Sequence, residues 1–141
     1  MEPQILICFD EAQSGPRLLN AGKRLSRLLK MKMVVIHVRE RTGGVSGYYD
    51  ELFHDNLQRI DELFGGQDQE DLLFVKTFFN DGKRLPRFKL VTGNPSELIL
   101  QELSSGDYGL VLIGTKNGRE AGATGRAVIA GSPIDVYVVK G

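Results

Sequence analysis

The sequence predicts a doubly wound α/β fold, in which helices cover both faces of a five-stranded parallel sheet. Five short apolar segments alternate along the chain with stretches of helical periodicity. Each segment is apolar almost throughout rather than at every second position, a pattern typical of strands buried on both faces. Short links between strand, helix and strand favour right-handed crossovers, and these make the strands parallel.

The five predicted strands follow one another at intervals that leave room for helices between them. They cover residues 5–9, 33–38, 88–91, 110–113 and 136–139. With 141 residues the chain is long enough for one hydrophobic core, so we predict a single domain over residues 1–141.

The first predicted helix, residues 16–30, has an apolar face and a basic face. Pro16 suits its first turn, with Ser14 or Gly15 as the cap. The apolar face carries Leu18, Leu25, Leu28 and Leu29. The basic residues are Arg17, Lys23, Arg24, Arg27 and Lys30. We predict that the basic face is solvated, as charged helix faces usually are.

A second helix is predicted over residues 47–64, ending at a pair of glycines at 65 and 66. The irregular segment 66–87 that follows is predicted to hold one short helix at residues 70–79. A helix after the third strand has Asn94 as its cap and Pro95 in its first turn. The last predicted helix covers residues 122–130.

The composition excludes several classes of protein. Eighteen acidic residues balance eighteen basic ones, so no overall charge would attract nucleic acid or anionic lipid. No apolar stretch approaches membrane-spanning length, and no signal peptide is recognisable. The single cysteine, Cys8, lies in an apolar strand, which predicts an inert buried thiol in a reducing compartment. We therefore expect a cytoplasmic protein that neither binds nucleic acid nor inserts into a membrane.

The candidate site is predicted at the carboxyl ends of the strands, where open parallel sheets bind their ligands. Asp10 follows the first strand, residues 39–47 follow the second, residues 92–94 the third and residues 114–122 the fourth. All of these should meet at one edge of the sheet. Residues 66–87 should lie at the opposite edge.

The glycine-rich segment after the fourth strand is the main candidate for ligand binding. Gly114 ends the strand, and the loop leads to a helix N-terminus, where N–H groups and the helix dipole favour an anion. Lys116 or Arg119 could add a charged contact. The alternative is a turn that only connects strand to helix. Neither a P-loop pattern nor a G-x-G-x-x-G fingerprint is present.

Five segments, in this order, resemble the universal stress protein family. ILICFDEAQSG is similar to the family's opening strand, which ends in an aspartate, and MVVIHVRE to its second strand. TGNPSELILQEL resembles its G-[DN]-P turn and helix, YGLVLIGTKNG its fourth strand and glycine loop, and SPIDVYVVK its closing strand. The resemblance covers nearly the whole chain. It implies a Rossmann-like sheet of the adenine nucleotide alpha hydrolase type, with strand order 3-2-1-4-5 and, commonly, a dimer.

The resemblance also implies a site for ATP or another adenine nucleotide, because many members of the family bind ATP. In those members the strand-one aspartate meets the adenine or ribose, the end of strand two contacts the base, and the glycine loop holds the phosphates. Arg39 is a further candidate that does not depend on the resemblance. It begins the loop after strand two, from which its charge could contact a phosphate. The candidate ligand-binding residues are Asp10, Val38, Arg39, Gly114, Thr115, Lys116, Gly118, Gly122 and Thr124.

The glycine loop departs from the family's ATP-binding pattern, which is G-x-x-G, nine residues, then G-[ST]. Three residues rather than two separate Gly114 from Gly118. Gly122 and Ala123 stand where G-[ST] is expected, so loop residues and a hydroxyl are missing, and Thr124 is the nearest substitute. We therefore expect an adenine nucleotide to bind weakly or not at all.

No metal site and no catalytic constellation are predicted. His37 and His54 lack the spacing typical of metal ligands, and His37 is expected to form a local hydrogen bond. There is no G-x-S-x-G elbow and no pair of acid and base with evident roles. Any enzymatic activity is expected to be limited to weak ATP hydrolysis.

Three functions are compatible with these observations. The leading hypothesis is a dimeric cytoplasmic regulator that acts on a protein partner, whose identity the sequence does not reveal. The second is an ATP-binding switch with slow hydrolysis, and the third a sensory domain that works with a membrane transporter or kinase. The dimer is expected to form through the closing strand, residues 134–139, from Ile134 to Val139, because an edge strand offers unpaired main-chain groups.

Overall fold

The computed structural model describes residues 2–10, 15–39, 47–48, 66–79, 85–115 and 121–140, which form six strands and four helices. The strands are β1 Gln4–Cys8, β2 Met33–Arg39, β3 Gly47–Tyr48, β4 Arg87–Thr92, β5 Tyr108–Gly114 and β6 Asp135–Val139. The helices are α1 Gly15–Leu29, α2 Gly66–Phe78, α3 Pro95–Ser105 and α4 Ala123–Gly131. Within these ranges, no helix combines the length and apolarity needed to cross a membrane.

The strands form one sheet in the order β3-β4-β2-β1-β5-β6. Five of them, from β4 to β6 in this order, pair in parallel. This confirms the predicted five-stranded parallel sheet and its order 3-2-1-4-5. The sixth strand, β3, is an addition that the sequence does not predict.

β3 corrects the start of the predicted second helix. Gly47 and Tyr48 are extended and pair antiparallel with Leu90 and Lys89 of β4. This pairing gives main-chain partners to the outer side of β4, which would otherwise be an unpaired edge. The rest of that predicted helix, residues 49–64, lies outside the described residues.

Alternate residues of the central strands point to opposite faces of the sheet, and each face supports a separate core. On one face, residues such as Ile5, Ile7 and Val35 pack against α1 and α2. On the other, Leu6 and Ile36 join a cluster that includes α3 and α4 side chains. Because both faces are covered, the strands are apolar along their whole length, as the sequence pattern indicates.

The apolar face of α1 differs in part from its prediction. Leu18 and Leu19 are buried, whereas Leu28 and Leu29 are 65% and 50% exposed. Gly22 lies directly on β1, since a Cβ at this position would stand 2.3 Å from Ile7 Cδ1. Gly22 therefore lets α1 pack closely on β1, and the buried residues of α1 lie between Gly15 and Ser26, before the two exposed leucines.

The helix predicted at residues 70–79 begins earlier and ends about where it is expected, as α2 over Gly66–Phe78. Leu72, Val75 and Phe79 are buried against the sheet. Phe74 of α2 stacks on Phe9, which directly follows β1, with ring centroids 6.0 Å apart. Part of α2 therefore lies near the carboxyl end of β1, and the prediction that all of residues 66–87 lie at the opposite edge is wrong.

The turn into α3 confirms the predicted capping signal. Gly93 has φ +148°, a conformation that side-chain-bearing residues rarely adopt. Asn94 then caps the helix, since its side-chain oxygen accepts a hydrogen bond from the Glu97 N–H at 3.1 Å, and Pro95 occupies the first turn. This turn places the first residues of α3 at the carboxyl edge of the sheet.

Candidate functional site

A cavity of about 450 Å³ opens at the carboxyl ends of β1 and β5. These two strands are neighbours in the centre of the sheet, and the chain runs outward from them in opposite directions, through β2 and through β6. This is the point where the strand order reverses and where sheets of this type bind ligands. The cavity is within the size range of small-molecule sites.

One part of the cavity wall is apolar. Ile36 and Val38 of β2 contribute to it, together with Ile113 of β5. Pro95 and Ile99 of α3 close it from the side. A flat heteroaromatic ring could lie against these aliphatic side chains.

The other part of the wall is polar and consists largely of glycine and threonine. Asp10 lies at its edge, directly beyond Phe9. Gly114 and Thr115 contribute from the end of β5, and residues 122–125 contribute from the start of α4. Thr124 supplies a hydroxyl there. A carboxylate, hydroxyls and main-chain N–H groups together suit a ribose and a phosphate.

The N-terminus of α4 points to an anion more directly than any other feature of the cavity. Its cap residue is Gly122, which has no side chain to accept from the free N–H groups of the first turn. Among the residues that the structure describes, none lies within 4 Å of a Cβ added at Gly122. The described residues therefore leave room in front of the first turn of α4, where its N–H groups and its dipole favour a negatively charged group.

Gly114 is held in place by the neighbouring strand. The Thr115 N–H donates to the Val139 carbonyl at 3.0 Å, and Gly114 itself pairs with Val139. A Cβ at Gly114 would only make ordinary contacts with Leu18, at 3.8 Å. The packing of the described residues therefore tolerates a side chain at both Gly114 and Gly122.

The end of β1, which positions Asp10, is fixed by a buried histidine. His37 Nδ1 lies 3.0 Å from the Phe9 carbonyl oxygen, and because a carbonyl only accepts, this nitrogen carries the proton. His37 Nε2 lies 3.5 Å from Asp71 Oδ2 of α2. Both side chains are buried. The local hydrogen bond predicted for His37 is thus present, and it links α2 to the edge of the cavity.

Cys8 lies in the cavity wall, so its place is not purely in the core. Desolvation by burial raises the pKa of its thiol to about 12. The thiol is therefore protonated at neutral pH and is a poor nucleophile, which agrees with the inert role that the sequence predicts.

The structure brings six of the nine candidate residues together around the cavity: Asp10, Val38, Gly114, Thr115, Gly122 and Thr124. Arg39 does not line it. Its Nη2 donates instead to Thr92 Oγ1 at 3.0 Å, across the β2–β4 pair. Lys116 and Gly118 lie outside the described residues.

Sequence reasoning missed the apolar wall. Ile36 and Ile113 belong to strands and Ile99 to the buried face of α3, so each has the pattern of an ordinary core residue. Pro95 is predicted only as a helix start. The usable signal was the position of residues 92–94 at the carboxyl edge, since a helix that starts there must extend beside the site.

The cavity can hold a small ligand with an apolar flat part and an anionic part. Within the described ranges, no group of three or more His, Cys, Asp and Glu residues is arranged to hold a metal ion. The described lining residues include no nucleophile paired with a base.

Comparison with known proteins assigns the same fold class and a family. The model of the universal stress protein family matches residues 1–140. No curated protein matches the chain significantly.

Several solved structures have the same fold at low sequence identity. The universal stress protein UspA from Lactobacillus plantarum is 15% identical with a TM-score of 0.65, covering 97% of each chain. The universal stress protein from Archaeoglobus fulgidus in complex with dAMP is 19% identical with a TM-score of 0.68, covering 99% of this chain and 98% of that one. An Arabidopsis thaliana family protein with AMP bound is 11% identical with a TM-score of 0.63, covering 99% and 92%.

Proposed function

Because the chain belongs to the universal stress protein family, we propose that it is a regulatory protein that binds an adenine nucleotide in the cavity between β1 and β5. The observation that carries this proposal is the open N-terminus of α4 facing an apolar-walled cavity. The adenine would lie against Ile36, Val38 and Ile99, and the phosphate would lie at residues 122–125. Asp10 would accept from the ribose or the base.

The structural neighbours support this choice of ligand. One is a complex with dAMP and another has AMP bound, and both share the fold over nearly the whole of this chain. All the ligands named for these neighbours carry a single phosphate. The cavity of this chain offers one uncapped helix N-terminus, which suits one phosphate group.

The glycine loop favours a monophosphate over a triphosphate. The ATP-binding pattern of the family places twelve residues between its first and last glycines. Only seven, residues 115–121, separate Gly114 from Gly122. A shorter loop has fewer main-chain N–H groups for the β- and γ-phosphates, and the additional negative charges would lack partners.

Isothermal titration calorimetry with AMP, cyclic AMP, ADP and ATP tests the proposal. We expect AMP to bind with a Kd on the order of 10–100 μM, about −7 to −5.5 kcal/mol, and ATP about tenfold more weakly. Asp10→Ala should weaken AMP binding by about tenfold. Asp10→Asn keeps an acceptor oxygen and should lose less affinity. The absence of heat with all four nucleotides would overturn the proposal. Tighter binding of ATP, followed by its turnover, would favour the switch with slow hydrolysis instead.

We further propose that the protein forms a dimer through β6. This strand pairs with β5 on one side only and is the last in the sheet. Tyr137 and Val138 are each 40% exposed, and Ile129 of α4 is 47% exposed. Pairing with a second copy would cover these apolar side chains and satisfy the open main-chain groups.

Val138→Pro is expected to convert the dimer into a monomer. The Val139 carbonyl accepts from Thr115 of β5, so the N–H and C=O of Val138 point to the open edge, because alternate residues of a strand face opposite neighbours. Proline removes that outward donor and leaves the β5–β6 ladder intact. Analytical ultracentrifugation at micromolar concentration should give a monomer for this variant and a dimer for the Val138→Thr control. A wild-type monomer would exclude this interface.

A cytoplasmic role in stress regulation is part of the proposal. The one cysteine of the chain, Cys8, is free, and its high thiol pKa makes it slow to oxidise, which is compatible with a reducing compartment. A dimer whose nucleotide site lies beside its edge strand could present different surfaces to a protein partner with and without nucleotide.

A further inference from the structure

A second cavity, of about 280 Å³, lies between α1 and the end of β6. Its walls include Arg17 and Arg24 of α1, Tyr137 of β6, and Lys140, which follows β6. The nucleotide cavity lies on the other side of the β5–β6 pair. None of the residues assigned to nucleotide binding lines this second cavity.

The charge of the second cavity is unusual in a chain without net charge. Three of its lining residues are basic and none is acidic. Residues 15–30, which include α1, carry five basic residues and no acidic one, so the rest of the chain has five more acidic than basic residues. A concave surface with cations only concentrates its field and attracts anions.

We propose that this second cavity binds a phosphate-class anion, either free or as the phosphoryl group of a phosphorylated peptide. Arg17 and Arg24 are seven residues apart, which places them two turns apart on the same face of α1. Their guanidinium groups can each donate two parallel hydrogen bonds to phosphate oxygens. Lys140 adds a third positive charge from the strand side.

The binding groups are already partly organised. Arg17 Nη1 donates to the Lys140 main-chain carbonyl at 3.3 Å, so the first arginine is held against the end of β6. Neither Arg17 nor Arg24 forms an ion pair with a carboxylate among the residues that the structure describes. An incoming anion would therefore not have to displace an internal acidic partner.

The anion site shares no residue with the proposed nucleotide site, whereas Tyr137 and Val138 line it and also belong to the proposed dimer edge. Its cations project from α1 and from a position beyond β6, whereas the dimer would use the main chain of Val136 and Val138. The two cavities are nevertheless adjacent, since Val139 pairs with Gly114 of the nucleotide cavity. The experiment must therefore locate the bound anion as well as detect it.

The test is a titration of the full chain with inorganic pyrophosphate and, separately, with a phosphoserine peptide, followed by calorimetry and by amide chemical shifts. We expect saturable binding that weakens as salt is raised. The largest shifts should fall on residues 17–24 and 137–140. Arg17→Ala/Arg24→Ala should reduce the affinity by about tenfold or more, because it removes two charged hydrogen-bonding groups. Arg17→Lys/Arg24→Lys should retain part of it.

The matched control is Arg27→Ala/Lys32→Ala, which removes the same charge from exposed positions outside the cavity. It should bind as the wild type does. Tighter binding of the peptide would identify a phosphorylated partner as the source of the phosphoryl group, and tighter binding of pyrophosphate a free anion. The proposal is overturned if neither probe binds, if the control loses as much affinity as the arginine variant, or if the shifts centre on residues 122–125.

Discussion

Replacing Gly122 with aspartate is expected to abolish nucleotide binding without loss of stability. Gly122 caps α4 with φ −72° and ψ −172°, a conformation open to any residue. An aspartate there can accept from the free N–H groups of the first turn and interact favourably with the helix dipole. We expect the free energy of unfolding to rise by a few tenths of a kcal/mol, up to about 1 kcal/mol.

The same carboxylate would occupy the place proposed for the phosphate and repel it. We expect the affinity for AMP to fall by about a hundredfold or more, equivalent to about 2.8 kcal/mol. Chemical denaturation and calorimetry on one preparation measure both effects. A variant that is more stable but binds AMP more weakly would be difficult to explain unless the phosphate binds at the helix N-terminus.

Gly122→Asn is the matched control, since it has the shape of aspartate and caps a helix about equally well but carries no charge. It should weaken AMP binding less than Gly122→Asp does. If Gly122→Asp binds AMP as the wild type does, the phosphate does not lie at α4. If Gly122→Asp is strongly destabilised, the space around the cap is not open.

The sheet could be predicted because its signal is local. Each of the five parallel strands is an apolar run, and burial on both faces is the physical reason for that run. β3 has only two residues, Gly47 and Tyr48, and so carries no periodicity. The glycines at 65 and 66 predict the end of a helix, because glycine is strongly enriched just after helix C-termini and only modestly at N-caps, whereas α2 begins at Gly66.

The candidate site could be predicted only in part, for a related reason. Asp10, Gly114 and Gly122 follow from the rule that ligands bind at the carboxyl ends of parallel strands. The contact between His37 and Asp71 joins residues that are far apart in the sequence, and no local pattern indicates such a pair. Ile99 has the spacing of a core residue, and its position in the cavity wall depends on how α3 crosses the sheet.

The second large effect is expected at Glu102, a buried residue of α3 that connects two strands. Its Oε1 lies 2.5 Å from Lys89 Nζ of β4, and its Oε2 accepts from the Tyr108 hydroxyl of β5 at 2.5 Å. The Glu102 side chain is 5% exposed and that of Lys89 is 23% exposed. β4 and β5 are separated by β2 and β1 in the sheet, so these contacts fix the direction of α3 across four strands.

Glu102→Ala should lower the free energy of unfolding by about 3 kcal/mol. It removes a buried carboxylate, takes away the acceptor of a buried tyrosine and leaves an amine in a partly desolvated position, changes that together cost several kcal/mol in buried sites. Exposure of Lys89 to solvent reduces its share of this loss. Glu102→Gln keeps an acceptor for Tyr108 and should cost about half as much. Urea denaturation measures both variants.

A double-mutant cycle separates the contribution of the Glu102–Lys89 ion pair to stability from the other effects of these substitutions. Lys89→Met alone and Glu102→Leu alone each leave one group without its charged partner and should be destabilising, whereas Glu102→Leu/Lys89→Met replaces both charges with apolar groups and should recover part of the loss. Because Pro95 and Ile99 of α3 line the nucleotide cavity, Glu102→Ala should also increase hydrogen exchange in α3 and weaken AMP. A loss below about 1 kcal/mol, with unchanged exchange in α3, would show that packing alone orients the helix.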